Sequence, residues 1–150
     1  MTDTSVPAIA AVVPAAGIGK RMQSAVPKQY LKLHGKTVLE HSVAKLRAVP
    51  AVSQIWLALA ADDPYFDATE LTHSDINRVK GGAERMHSVL NALQFIDEHQ
   101  FPWVLVHDAA RPNLARTDLD KLLLELAADP VGGLLAVPAR DTLKRIGPDG

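Results

Sequence analysis

The chain has 150 residues, of which 47% are hydrophobic and 22% are charged, and its formal net charge is −1 at pH 7. This composition is typical of a soluble globular protein, and the length suits a single domain, residues 1–150. The near-neutral charge argues against a nucleic-acid partner, and no apolar run reaches the roughly 18 residues of a membrane span. The sequence contains no cysteine, which excludes disulfides and thiolate chemistry. Because the N-terminus also lacks a signal pattern, we expect a cytoplasmic protein.

The predicted elements of the first half of the chain are two buried strands around one amphipathic helix. A continuous apolar run between two prolines predicts a strand over Ala8–Val13. Apolar residues at helical spacing predict a helix over Thr37–Arg47, which Pro50 ends. A second buried strand is predicted over Ile55–Ala60, and the polar stretch Asp62–Asp75 is interpreted as a loop with room for one helical turn.

The second half continues the alternation of strands and helices. A helix is predicted with Thr117 as its N-cap and with Asp118 and Asp120 in its first turn. The other predicted elements are a strand over Arg78–Lys80, an amphipathic helix over Glu84–Glu98, and strands over Trp103–His107 and Leu134–Val137, with Thr142–Ile146 as a candidate for one more. Because the chain stops at a turn signal, Gly147-Pro148-Asp149-Gly150, we expect that a C-terminal portion is missing.

This alternation predicts an α/β fold with a mostly parallel sheet that helices cover on both faces. In such folds ligands bind beyond the carboxyl ends of the strands. Three loops with unusual sequences fall at that edge: Pro14–Met22, Gly81–Arg85 and Asp108–Pro112. We therefore expect the functional site where these loops meet.

Local charge differs from the overall charge at the start of the chain. No acidic residue lies between Asp3 and Glu40, yet that interval holds Lys20, Arg21, Lys28, Lys32 and Lys36. One interpretation is a solvated basic face. The other is a site for a concentrated anion such as a triphosphate, because clustered cations focus positive potential where the ligand binds.

The first loop has the composition of a phosphate-binding loop without matching a common motif. Glycines at 17 and 19 allow close backbone approach to a ligand. Met22 stands where a dinucleotide-binding loop needs a third glycine, and Arg21 stands where a Walker A loop needs Ser or Thr. A plain strand-to-helix turn stays open as an alternative. Lys20, Arg21 and Lys28 suit phosphoryl or nucleotidyl transfer, which needs cations around the phosphate oxygens.

The second and third loops each admit two interpretations. The glycines at 81 and 82 would let a flat base approach the backbone, with the Ser88 hydroxyl at its edge, or they belong to a flexible loop before a helix. Asp108, at the end of a strand, would bind Mg²⁺ or form a structural pair with Arg111, and Arg111 could instead reach a phosphate. His107 is interpreted as a packed or hydrogen-bonded residue and not as a catalyst.

Taken together, these motifs resemble those of one known family. The blocks that carry the resemblance are Ala15-Ala16-Gly17-x-Gly19-x-Arg21-Met22, Pro27-Lys28-Gln29-Tyr30, Gly81-Gly82-x-x-Arg85 with Ser88, and His107-Asp108-Ala109-Ala110-Arg111-Pro112. They are similar to those of the 2-C-methyl-D-erythritol 4-phosphate cytidylyltransferases of the non-mevalonate isoprenoid pathway. The likeness runs from about Ala10 to Arg145. The first block alone would indicate only the wider nucleotidyltransferase superfamily.

The resemblance implies a Rossmann-like three-layer fold and an enzyme that transfers CMP from CTP to the polyol phosphate, releasing pyrophosphate with Mg²⁺ as cofactor. It implies that Arg21 and Lys28 are catalytic, because they would stabilise the five-coordinate α-phosphorus. It assigns the other site residues as follows: Ala15, Ala16, Gly17, Gly19 and Lys20 to the triphosphate side of the nucleotide site, Gly82 and Ser88 to cytosine, Asp108 to the metal with Arg111 in support, and Arg111 and Thr142 to the second substrate.

The resemblance also has limits. Ala83 stands where some members carry an acidic residue, so a side-chain role there is lost. The family continues past residue 150 with a basic arm that crosses to a partner subunit, so the resemblance implies a homodimer whose arm is not fully present. Two alternatives stay open: a cytidylyltransferase for another polyol phosphate such as ribitol 5-phosphate, and a nucleotide-binding module without catalysis.

Overall fold

The structure is a computed structural model, and it describes residues 7–17 and 26–140. Within these ranges the helices and strands are β1 (Ile9–Pro14), β2 (Lys32–Leu33), β3 (Lys36–Thr37), α1 (Val38–Arg47), β4 (Val52–Leu59), β5 (Asn77–Lys80), α2 (Arg85–Leu93), β6 (Trp103–Val106) and α3 (Arg116–Leu126). The candidate strand over 142–146 lies outside the described residues.

Four of the strands form one parallel sheet in the order β5-β4-β1-β6. The expected α/β fold with a parallel sheet is therefore confirmed. In the centre, Val12 of β1 is in register with Trp56 of β4 on one side and Val106 of β6 on the other. The chain moves outward from β1 through β4 to β5 and then returns to the far side of β1. Such a reversal of direction opens a crevice at the carboxyl ends of the strands.

The core lies around β1 and the inner side of α1. Ile9 to Val13 are all buried, which explains why the strand reads as a continuous apolar run. Leu39, Val43 and Leu46 of α1 are fully buried in the same cluster. The helix starts at a capping box, in which the Thr37 hydroxyl accepts from the Glu40 amide and the Glu40 carboxylate accepts from the Thr37 amide.

Helix α2 differs from the prediction in its length and in its buried face. The amphipathic pattern predicted a helix to Glu98, but α2 ends at Leu93, after which the backbone bonds tighten to three-residue turns. Its buried side chains are Ser88 and Ala92, while Leu90 and Leu93 are 53% and 39% exposed. Small residues let this helix lie close to β1 and β4. Of the apolar positions predicted to face the core, Leu90 and Leu93 are therefore exposed, Val89 and Ile96 are half-buried, and the fully buried part of the helix is made of small side chains.

Two connections contain more structure than predicted. The loop between β4 and β5 holds two 3₁₀ helices, Phe66–Ala68 and Glu70–His73, which bury Phe66 and Leu71. Strands β2 and β3 form an unpredicted hairpin, whose two-residue turn places His34 at φ 49° and Gly35 at φ 83°. Positive φ at both central positions matches the right-handed twist of hairpin strands.

Two predicted elements differ near the end of the described chain. Helix α3 begins at Arg116 with Ala115 as its N-cap, so Thr117 lies inside the first turn. Arg116 instead fixes this end, because it pairs with Asp120 and donates to the carbonyl of Ala48. The expected strand Leu134–Val137 is not formed, since its backbone joins no ladder in the described part of the chain and Val137 is 88% exposed.

Among the described residues, no helix is long and apolar enough to cross a bilayer.

Candidate nucleotide-binding cleft

The loops that follow β1, β5 and β6 meet in one cleft at the carboxyl edge of the sheet. Its volume is about 470 Å³, within the range of small-molecule sites. The predicted site residues that line it are Ala15, Ala16, Gly17, Lys28, Gly82, Ser88, Asp108 and Arg111. The described start of the first loop, residues 14–17, is therefore brought together with the second and third loops that the sequence indicated, and residues from widely separated positions share one surface.

The first loop leaves β1 under close backbone control. The amide of Ala15 donates a 2.8 Å hydrogen bond to the carbonyl of Ala58, which extends the β1–β4 ladder into the loop. Among the described residues, apart from the chain neighbours, no atom lies within 4 Å of the place where a Cβ on Gly17 would stand. Within the part of the chain that the structure describes, the missing side chain at Gly17 thus leaves open space in the cleft and is not required by packing.

The glycines of the second loop are required by packing. A Cβ on Gly81 would lie 2.2 Å from the Cβ of Ala16, and a Cβ on Gly82 would lie 2.2 Å from the Cβ of His87. Real Cβ atoms do not approach so closely. The second loop therefore contacts both the first loop and the start of α2 because these two residues lack side chains.

Ser88 organises this second loop from inside. It is buried, and its Oγ accepts a 3.0 Å hydrogen bond from the amide of Gly82 and donates to the carbonyl of Glu84 at 3.3 Å. The hydroxyl proton is thus used within the protein. An oxygen lone pair is what Ser88 could still offer to a ligand, because a hydroxyl has two acceptor positions and one donor.

Asp108 lies between two arginines at the mouth of the cleft. Its Oδ1 accepts from Nε of Arg85 at 2.8 Å, and its Oδ2 accepts from Nε of Arg111 at 2.9 Å. The structural Asp–Arg pair considered from the sequence is therefore present and includes a second arginine. One carboxylate facing two guanidinium groups leaves an excess positive charge, which favours an anionic ligand.

Two further contacts hold the third loop. Nε2 of His107 lies 2.9 Å from the carbonyl of Arg111, so His107 is a hydrogen-bonded residue, as the sequence analysis expected. Such a bond requires the ring proton on Nε2. On the other side, the buried Oγ of Ser42 donates to the carbonyl of Ala109 at 2.8 Å. Helix α1 thereby fixes the backbone that carries Asp108.

Lys28 is held in the cleft by the two residues that follow it. Lys28–Tyr30 form a 3₁₀ turn in which Gln29 and Tyr30 are buried. The Tyr30 hydroxyl donates a 2.6 Å hydrogen bond to Oδ2 of Asp63. Burial, this hydrogen bond and the Asp63 charge raise the pKa of Tyr30 above its usual range, so the phenol stays a neutral donor.

Gln29 and Arg85 are the cleft residues that sequence reasoning left without a role. Both lie inside the motif blocks, but the residues next to them in the sequence do not indicate which groups Gln29 or Arg85 contacts. The helpful signal for Arg85 is Asp108, the acid at the end of the next strand along the chain, since the carboxyl ends of parallel strands all lie at the same edge of the sheet. No comparable signal links Tyr30 to Asp63.

The structure does not describe every predicted site residue. Gly19, Lys20, Arg21 and Thr142 lie outside the described ranges, so their roles stay predictions. Lys32 and Lys36 are exposed on the β2–β3 hairpin and do not line the cleft. Among the described cations between Asp3 and Glu40, Lys28 is therefore the one that lines the cleft. Within residues 7–17 and 26–140, no group of three or more histidine or carboxylate side chains could hold a metal ion by itself.

The chain is similar to known proteins over nearly its whole length. Residues 9–150 match the family described as 2-C-methyl-D-erythritol 4-phosphate cytidylyltransferase. The proteins of that name from Pseudomonas fluorescens and Pseudomonas syringae pv. tomato are each 58% identical to it, over 97% and 100% of this chain. The chain spans 63% and 65% of the length of these two relatives, which is less than two thirds.

Solved structures agree with these relatives. A crystal structure described as 4-diphosphocytidyl-2C-methyl-D-erythritol synthase superposes with a TM-score of 0.77 at 31% identity, covering 96% of this chain and 66% of that one. The Francisella tularensis 2-C-methyl-D-erythritol 4-phosphate cytidylyltransferase superposes with a TM-score of 0.74 at 34% identity, covering 95% of this chain and 63% of that one.

Proposed function

The chain belongs to the 2-C-methyl-D-erythritol 4-phosphate cytidylyltransferase family, and on this premise we propose that the whole protein transfers CMP from CTP to 2-C-methyl-D-erythritol 4-phosphate. In this reaction a phosphate oxygen of the acceptor forms a bond to the α-phosphorus of CTP. The bond from that phosphorus to the oxygen of the β-phosphate breaks, and pyrophosphate leaves. The product would serve isoprenoid biosynthesis by the non-mevalonate route.

The observation that carries this proposal is the cleft itself. It combines a space beside Gly17 that no described residue fills, a lysine from a 3₁₀ turn, and two arginines around one carboxylate. Phosphoryl-transfer chemistry depends on positioning and on positive charge near the phosphate oxygens, with little covalent participation of the protein. We assign Lys28 to the α-phosphate and Arg21, from the undescribed part of the first loop, to the same oxygens.

The second loop is proposed to recognise the base. Gly81 and Gly82 bring the backbone into the cleft, and Ser88 fixes the direction of the Gly82 amide by accepting its hydrogen bond. A loop fixed in this way presents backbone groups in a constant arrangement to a flat ligand. We therefore expect a preference for cytosine over uracil, which differ in the hydrogen-bonding character of one ring substituent and one ring nitrogen.

Mg²⁺ is the proposed cofactor. The donor set fits a magnesium ion that arrives with the triphosphate, because Mg²⁺ is commonly held by one or two carboxylates together with phosphate oxygens. Bound there, the ion would neutralise charge on the phosphates. Asp108 would exchange one arginine partner in order to hold it, and the released Arg85 or Arg111 would then reach a phosphate oxygen.

We also propose a cytoplasmic homodimer, in which the basic arm implied for the family follows the part spanned by this chain. Residues that bind the polyol phosphate would be completed there, next to Arg111 and Thr142. The choice between methylerythritol phosphate and ribitol 5-phosphate lies in that segment, since both acceptors would share the residues proposed for CTP.

A pyrophosphate-release assay on the full-length protein tests this proposal. CTP, Mg²⁺ and methylerythritol phosphate should give pyrophosphate and the CDP-alcohol, and UTP or ribitol 5-phosphate should react much more slowly. Faster turnover of ribitol 5-phosphate would assign the other polyol, and equal turnover of UTP would contradict the cytosine preference. Titration that shows binding of CTP with Mg²⁺ but no pyrophosphate with either acceptor would identify a non-catalytic module.

A further inference from the structure

Gln29 is a buried polar residue that joins the first loop to the turn carrying Lys28. Its Nε2 donates to the carbonyl of Ala15 at 2.8 Å and to the carbonyl of Gly17 at 3.0 Å. The residue is 6% exposed. A side-chain amide carries two protons, so both are used on this one loop.

These bonds change the electrostatics of the loop. Carbonyl oxygens carry partial negative charge and would repel a phosphate if they faced it. The bonds to Gln29 turn the Ala15 and Gly17 carbonyls toward a donor and satisfy them there. Because N–H and C=O point in opposite directions across a trans peptide, the amide of Ala16 then points away from Gln29. A loop with its carbonyls engaged in this way is better suited to an anion.

Gln29 also fixes the position of Lys28. The two residues are adjacent in one 3₁₀ turn, and the next residue, Tyr30, is tied to Asp63. The backbone of Lys28 is therefore anchored on the first loop through Gln29 and on the β4–β5 connection through Tyr30. The distance between the Lys28 ammonium and a triphosphate lying along Ala15–Gly17 depends on the first of these anchors.

We propose that Gln29 is a positioning residue of the cytidylyl transfer, which aligns Lys28 with the nucleotide loop through its two hydrogen bonds. This inference rests on the proposed function of the cleft. Gln29 takes no part in bond making or breaking. It keeps the catalytic cation at the distance that the transition state requires, and such alignment is sensitive, since a displacement of about 1 Å can cost on the order of 100-fold in rate.

The test uses the full-length protein with CTP, Mg²⁺ and the polyol phosphate that it turns over. Gln29→Met keeps the length of the side chain and removes both donors, and Gln29→Asn keeps the amide but shortens its reach. Both variants should lower kcat on the order of 100-fold while KM for CTP changes much less. The control is Thr69→Val, which removes another buried donor, the hydroxyl that bonds the carbonyl of Phe66 at 2.7 Å outside the cleft, and which should leave kcat near the parent value.

A double-mutant cycle separates positioning from general stability. If Gln29 acts through Lys28, the Gln29→Met change should cost far less in a Lys28→Ala background than in the parent. Additive effects, or an unchanged kcat in the folded Gln29→Met or Gln29→Asn variant of an active parent, would overturn the inference and leave the proposed function intact. A parent that is inactive with every polyol phosphate would overturn the proposed function, and the positioning role with it.

Discussion

Gly81 packs against Ala16 so closely that a Cβ on Gly81 would stand 2.2 Å from the Cβ of Ala16. This contact joins the loop after β5 to the loop after β1, although β4 lies between these two strands in the sheet. The shape of the cleft therefore depends on the lack of a Cβ atom at Gly81. The Cβ position of Gly81 also lies 3.1 Å from the carbonyl oxygen of Leu59 and 3.1 Å from Oγ of Ser88. The loop therefore has little space to move away from Ala16.

We expect that Gly81→Ala destabilises the protein by about 1–3 kcal/mol, the usual cost of forcing extra volume into a packed region. Gly17→Ala is the matched control, because no non-adjacent atom of residues 7–17 and 26–140 lies within 4 Å of its Cβ position. That variant should keep the parent's unfolding free energy and bind CTP about tenfold more weakly, since the new methyl group would occupy ligand space. Urea unfolding and calorimetric CTP titration measure the two effects, and equal unfolding midpoints for parent and Gly81→Ala would refute the steric argument.

Loss of the cations proposed for the α-phosphate should affect rate more than binding. Lys28→Ala and Arg21→Ala should each lower kcat by an amount corresponding to about 2–4 kcal/mol of transition-state stabilisation, with a smaller effect on the Kd for CTP. Lys32→Ala, on the exposed hairpin, should leave both quantities unchanged. Single-turnover kinetics on the full-length protein provides the rate. An unaltered kcat in either cleft variant would remove that residue from the chemistry.

Asp108→Asn should separate a metal role from a structural one. The ion pairs that it breaks are partly exposed, so the unfolding free energy should change by less than about 1 kcal/mol. The Mg²⁺ concentration for half-maximal activity should rise by at least about tenfold if this carboxylate holds the ion with the triphosphate. Asp120→Asn breaks the comparable Arg116–Asp120 pair outside the cleft and is the control. A Mg²⁺ dependence identical to that of the parent would leave Asp108 as an arginine anchor only.

Stability should depend on pH through Glu40. Burial alone would raise the pKa of this carboxyl, but hydrogen bonds from Thr37 and from the amide of Glu70, with the charge of Lys36, lower it below its ordinary value of 4.5. A group whose pKa is lower in the folded state stabilises the protein above its unfolded pKa, and this contribution is lost as the pH falls through the folded value.

The parent should therefore lose stability below about pH 4.5 more steeply than Glu40→Gln does. At pH 7, where the Glu40 carboxylate is charged in the parent, the variant should have an unfolding free energy lower by about 0.5–2 kcal/mol. Urea midpoints measured from pH 7 to pH 3 provide the comparison. The exposed Glu98→Gln is the control and should follow the parent curve. Parallel curves for parent and Glu40→Gln would show that this carboxyl contributes nothing to the pH dependence.

The sequence predicted the parts of this structure that depend on local pattern. Strand β1 and helix α1 were found within a residue of their predicted bounds, because a run buried on both faces and a capped amphipathic stripe each leave a clear signature. Helix α2 starts within a residue of its predicted bound but is shorter, and its buried face was missed because the small residues Ser88 and Ala92 form it and carry little hydrophobic signal. The Leu134–Val137 run has the composition of a strand, but a strand also needs a neighbouring ladder, which composition does not supply.

For the cleft, the residues with charge or glycine character were predictable, as was the local Asp108–Arg111 pair, but the contacts between distant parts of the chain were not. Glycines, lysines and a strand-end carboxylate indicated which loops matter. The pairing of Asp108 with Arg85, the two bonds from Gln29 and the Tyr30–Asp63 bond all join residues that are distant along the chain. Such contacts depend on the spatial order of the strands, which a single sequence does not specify.

The pairing of the central strand determines when this protein can fold. Strand β1 is made early in synthesis, but its partner strands β4 and β6 begin at Val52 and Trp103. The sheet therefore cannot form completely until Trp103, the partner of Ile9, has been synthesised. Closing such long loops costs conformational entropy before the native contacts form, and this makes folding slow. During that interval one edge of β1 has no neighbouring strand, so we expect the nascent chain to be prone to aggregation until β6 emerges from the ribosome.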